Sequence, residues 1–178
     1  MFKEQKHSYI YYSAIGLMLS AVYFIQTSTG LIPELFGVLP NPAFVLLIVF
    51  AMFGGEWAGI VAGLALGIAT DVISAAPDGF NSLLMMLVGF VSAVLSVYLF
   101  NRRLPAAMLL CAICCAVYYT ALWAVRVLPD GYDGAWLYLL RYSLPSALYS
   151  WLFIFPFWGI VSAVSRPRRA VRSRGLLD

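Results

Sequence analysis

Six apolar runs occupy most of this chain, at about 9–25, 42–53, 57–76, 80–100, 105–127 and 136–164. A helix that crosses a membrane needs about 20 mostly apolar residues. Lipid holds no water to satisfy backbone N–H and C=O groups, so such runs fold as helices, which close those bonds internally. Of the 178 residues 63% are apolar and 11% charged, against about 25% charged in an ordinary soluble domain. A water-soluble globular fold is excluded. The pattern predicts an all-α integral membrane protein with about six transmembrane helices, forming a single transmembrane domain over 1–178.

Two runs depart from the standard length. Run 42–53 covers about 18 Å at 1.5 Å per residue, less than the hydrocarbon thickness of about 30 Å, so the second segment is either short or re-entrant. Both geometries leave the topology downstream unchanged. Run 136–164 is too long and contains Pro145 and Pro156. It is expected to kink, or to open with an interfacial stretch that carries Arg141.

Orientation follows from the basic residues, because short loops rich in Lys and Arg stay cytoplasmic. With a cytoplasmic N-terminus, six crossings gather Lys3, Lys6, Arg102, Arg103, Arg166, Arg168, Arg169, Arg172 and Arg174 on the inner side. Glu34, Asp78, Asp130 and Asp133 then lie outside. Residues 1–8 become a cytoplasmic flank and 166–178 a cytoplasmic basic tail suited to anionic lipid. Only Arg126 and Arg141 stay near the outer face, where a long side chain reaches water or an acid. A formal charge of +3, held in the flanks of apolar runs, does not suit nucleic acid. Trp57, Tyr98, Trp123 and Trp136 recur near the proposed ends, as in an interfacial aromatic belt.

The third run is the most specific. Gly55, Gly59, Gly63, Gly67 and Asp71 stand at steps of four, and each step turns a helix by about 400°, so they form one slowly winding ridge. The ridge has no side-chain bulk before Asp71. Lipid gives apolar helices no hydrophobic reason to associate, so a small-residue face acts by letting another backbone come close. The partner helix belongs either to this chain or to another protein. A carboxylate in an apolar span is costly, so Asp71 is expected to pair with Arg126, Arg141 or a basic group on a partner. The turn that follows contains Pro77 and Gly79, which stop one helix, and Asn81, which caps or approaches the next.

No catalytic constellation emerges. His7, in the N-terminal flank, is the one histidine, so a Ser-His hydrolase has no base inside the membrane, and neither a zinc-protease motif nor a nucleotide-binding loop is present. Cys111, Cys114 and Cys115 share one apolar run without a histidine or acid nearby, and read as small buried hydrophobes rather than metal ligands. Neither cofactor nor metal is expected.

Gly-Glu-Trp-x-Gly-x-x-x-Gly-x-x-x-Gly from Gly55, followed by Asp71, Ser74, Pro77, Gly79 and Asn81, resembles the MreD family of bacterial rod shape-determining proteins. The approach, with Gln26-Thr27-Ser28, Pro33, Phe36-Gly37-Val38, Pro40 and Pro42, is similar to that family as well. The resemblance implies a non-catalytic subunit of the cell-elongation machinery in the bacterial cytoplasmic membrane. It implies binding to the bitopic shape protein MreC and, indirectly, to the actin-like cytoskeleton and peptidoglycan synthases. It also implies an architecture similar to the S-components of energy-coupling-factor transporters. A substrate-binding subunit of a vitamin-type transporter is therefore the alternative, although the first run offers only Gly16-x-x-x-Ser20 where such subunits carry an alanine pair.

Overall fold

The computed structural model describes residues 2–28, 37–74, 79–98, 103–127 and 135–174, with side chains described in 11–28, 37–74, 79–98, 103–127 and 136–165. The helices are α1 (Phe2–Thr27), α2 (Pro42–Gly54), α3 (Glu56–Ile73), α4 (Phe80–Tyr98), α5 (Leu104–Arg126), α6 (Ala135–Tyr138), α7 (Leu144–Leu152) and α8 (Ile154–Arg174), with a π-helical turn, Leu139–Ser143, joining α6 to α7. Among the described residues α3, α4, α5 and the stretch Trp136–Ser165 are long and apolar enough to cross a membrane. The fold is that of an all-α, multi-pass membrane protein.

The short second run is the centre of the bundle. Every residue of α2 from Pro42 to Phe53 is buried, and α1, α3, α4, α5, α7 and α8 all pack on it. Pro-Ala-Phe-Val-Leu-Leu-Ile-Val-Phe-Ala-Met-Phe is apolar on every side, a pattern that suits a helix enclosed all round. Its 13 residues rise only about 20 Å.

Polar groups pin the N-terminal end of α2. Asn41 caps it, its Oδ1 accepting from Phe44 N at 2.9 Å, while Gln26 of α1 accepts from Ala43 N at 3.1 Å. Ser150 of α7 gives its single proton to the Ser146 carbonyl at 2.7 Å. Its oxygen is then the acceptor for both Asn41 N at 2.8 Å and the Tyr119 hydroxyl at 3.0 Å. One serine thus ties α2, α5 and α7 together.

The last run breaks twice, each time just ahead of a proline. Pro145 lacks an N–H and crowds the carbonyl four residues earlier, and the π turn sits there, with Leu144 N bonding to the Leu139 carbonyl. A second break falls at Phe153, whose N–H reaches back to the Ser150 carbonyl at 3.1 Å, three residues before Pro156. Several expectations concern residues outside those described: Pro77, the acids Glu34, Asp78, Asp130 and Asp133, Arg102, and the side chains of Lys3, Lys6, His7 and the tail arginines.

Candidate functional site

The glycine ridge meets a helix of its own chain. A Cβ added at Gly59 would lie 2.5 Å from the Gly89 carbonyl oxygen, one at Gly63 would strike the Met85 carbonyl, and one at Gly67 would strike Ser82 Cα and lie 2.7 Å from the Asn81 carbonyl oxygen. Gly89 reciprocates, since a Cβ there would strike the Gly59 carbonyl. The pairs 59–89, 63–85 and 67–82 run in opposite directions, so α3 and α4 form an antiparallel hairpin with main chain against main chain. Of the two partners left open for the ridge, the structure supplies the internal one. Such closeness replaces hydrophobic force, which is absent between helices in lipid, with dispersion contact over a long seam.

Gly55 does not belong to this ridge. It is the single residue between α2 and α3, with φ +93° and ψ 177°, and an added Cβ would meet nothing within 4 Å. That backbone region is essentially reserved for glycine, so Gly55 turns the chain and packs against no partner.

Asp71 also faces inward, but to a different partner from the arginines expected. It is buried, with 7% of its surface exposed. Oδ1 accepts from Asn81 N at 3.2 Å and Asn81 Nδ2 at 2.9 Å. Oδ2 accepts from Ser82 N at 2.9 Å and Ser82 Oγ at 2.5 Å. The reason lies in the turn. Gly79, at φ +66°, precedes α4 and has no side chain to cap it, so the first-turn N–H groups need an acceptor from elsewhere. Asp71, one helix earlier, supplies that oxygen and sets its charge against the positive end of the α4 dipole. Asn81 is thus bound within the first turn, and its Oδ1 accepts from the Tyr118 hydroxyl at 3.2 Å. Tyr118 stacks on Phe44 with ring centroids 4.4 Å apart. The latch therefore reaches α5 and the central helix.

Arg126 and Arg141 are both exposed, and among the described residues neither makes an ion pair or hydrogen bond. The cysteines are buried and free; Cys114 Sγ lies 3.8 Å from Ser92 Oγ and Cys111 Sγ 4.0 Å from Cys115 Sγ. Among the described residues no group of three or more His, Cys, Asp or Glu is arranged to hold a metal.

Tyr118, a deep aromatic in the sequence that suits a helix interface or a ligand pocket, is at an interface. Sequence reasoning missed Ser82 and Gly89, although a signal existed: Ser82, Met85, Gly89, Ser92 and Ser96 recur at alternating steps of three and four, the spacing of a helix seam. Ser92 and Ser96 are buried, and Ser96 Oγ reaches the Met52 carbonyl at 3.1 Å.

Antiparallel small-residue hairpin, carboxylate latch and enclosed central helix together define a multi-pass membrane protein whose specific residues serve helix packing. The model of the rod shape-determining protein MreD family matches residues 8–166. The chain belongs to that family and acts in rod shape determination. No curated protein and no solved structure gives a match.

Proposed function

We propose that this chain is a non-catalytic scaffold of the bacterial cell-elongation complex. It binds MreC, the bitopic shape protein, through the membrane, and with it helps organise the actin-like cytoskeleton and peptidoglycan synthesis. Positive flanks set both termini in the cytoplasm.

Besides family membership, the supporting observation is the division of the helix glycines. Gly59, Gly63, Gly67 and Gly89 are closed by backbone, whereas a Cβ at Gly16 of α1, like one at Gly159 of α8, would meet nothing within 4 Å, and Gly16 is the one of the two beside a groove. One turn on, Ser20 opens a groove of about 370 Å³ lined by Ser20, Tyr23, Phe24, Thr27, Ser28 and Ile73, between α1 and the end of α3. A single-span helix gains close backbone approach on such a face. A polar vitamin gains less, because the hydroxyls of Ser20, Thr27 and Ser28 already donate to carbonyls four residues back, at 2.9, 2.6 and 2.9 Å.

The test is co-purification of MreC with Gly16→Leu, which is expected to lose the partner while the protein stays folded, together with loss of rod shape when the protein is depleted. Full capture by Gly16→Leu overturns the assigned face. Normal shape with failed vitamin uptake on depletion overturns the scaffold in favour of the transporter.

A further inference from the structure

The arginines left out of the Asp71 latch lead to a second site. Trp136–Ser165 is a 30-residue apolar stretch in which Arg141 is the one charged residue. Followed along the chain at about 1.5 Å per residue, through its breaks at the π turn and Phe153, it runs about 45 Å, against about 30 Å of hydrocarbon, so roughly ten residues are more than a crossing needs. Arg166 opens the basic tail at one end. Counting back about twenty residues from it leaves 136–145 in the headgroup layer of the opposite boundary. Arg141 stands in the middle of that segment.

Arg126 reaches the same boundary. It ends α5, 23 residues long and so about 35 Å, which begins beside exposed Arg103. Trp123 and Trp136 lie with ring centroids 5.0 Å apart, and α5 packs on the π turn, so the end of α5 and the segment around Arg141 are neighbours. Tyr138 and Tyr142 pair at 4.9 Å beside them, while Leu137, Leu140 and Leu144 are exposed. This is an apolar and aromatic face at headgroup depth, carrying two cations that no acid among the described residues pairs with; Asp130 and Asp133, between them in the sequence, lie outside those residues. Guanidinium forks match phosphate geometry, and lipid phosphate is the abundant anion at that depth.

We propose that Arg126 and Arg141 form a binding site for the headgroup phosphate of an anionic phospholipid at the membrane boundary opposite the basic tail. Anionic lipid is preferred over zwitterionic because the latter brings its own cation, which competes with the arginines. The aromatic rings fix the headgroup level, and the π turn ahead of Pro145 presents Arg141 from an otherwise apolar stretch.

The experiment is native mass spectrometry of the purified full chain after equilibration in micelles containing phosphatidylglycerol and phosphatidylcholine. Two cations near the surface give a preference for phosphatidylglycerol of about thirtyfold. Arg126→Gln with Arg141→Gln is expected to lose most of it, and Arg126→Lys with Arg141→Lys, which keeps the charge but not the fork, to keep part of it; the basic tail is common to all three. Both positions are exposed, so equal thermal unfolding of the three proteins is expected. Unchanged preference in the Gln pair overturns the site and assigns retention to the tail. Unchanged lipid retention with loss of a co-purifying protein overturns it in favour of an acidic protein partner.

Discussion

Adding one methyl group at Gly63 tests the α3–α4 seam most sharply. An alanine Cβ there would strike the Met85 carbonyl oxygen and lie 2.8 Å from Met85 C and 2.9 Å from Met86 Cα. Carbon atoms rest about 3.5–4.0 Å apart, so the helices must separate by roughly 0.7–1 Å. A gap of that size forfeits about a quarter to a half of each atom pair's attraction, itself about 0.1–0.2 kcal/mol. For on the order of 40 atom pairs, about as many as one buried leucine side chain makes, the loss is about 2 kcal/mol, within the range of about 1–3 kcal/mol for overpacking a tight interior. Gly16→Ala is the control, because its Cβ meets nothing within 4 Å and gains the same helix propensity. Reversible unfolding in mixed micelles, titrated with a denaturing detergent, compares the two. Gly63→Ala is expected to unfold about 2 kcal/mol more easily than Gly16→Ala; equal stability of the two variants would refute the main-chain contact.

Two further changes address the polar ties. Asp71→Asn keeps the shape of the latch but turns an NH2 group toward one of its two donor pairs, at Asn81 or Ser82, and is expected to cost about 2 kcal/mol in the same titration. An unchanged midpoint would remove Asp71 from the account of α4. Ser150→Ala leaves Asn41 N–H and the Tyr119 hydroxyl without their acceptor and is expected to cost about 1–3 kcal/mol. Adding Tyr119→Phe should then recover part of the loss, and no recovery would argue against the shared acceptor.

Much of the helical layout was legible because lipid forces apolar runs into helices. Runs 57–76, 80–100 and 105–127 correspond to α3, α4 and α5 with ends shifted by up to three residues, and the two prolines announced the breaks in the last run. The central position of α2 was less accessible. Its brevity left a short span and a re-entrant segment both open, and the signal in its uniform apolarity, which matches enclosure by six other helices, went unused. Gly55 misled because it continues the four-residue step, and step alone does not reveal that a helix has ended. The destination of Asp71 was hidden for a related reason. Charge reasoning looked for a cation at the same depth, but the uncapped first turn of α4 behind Gly79 offered several aligned donors in the adjacent turn. Local hydrogen-bond demand outcompeted distant charge.

Cysteine cross-linking in native membranes tests the scaffold account most directly. Ser20→Cys, in the groove beside Gly16, is compared with Val61→Cys, a residue 62% exposed on the side of α3 turned away from the α4 seam, each against single cysteines placed along the MreC span. Cross-links from position 20, with none from position 61, are the expected result. Cross-links from 61 alone would contradict the proposal that the partner helix docks on α1.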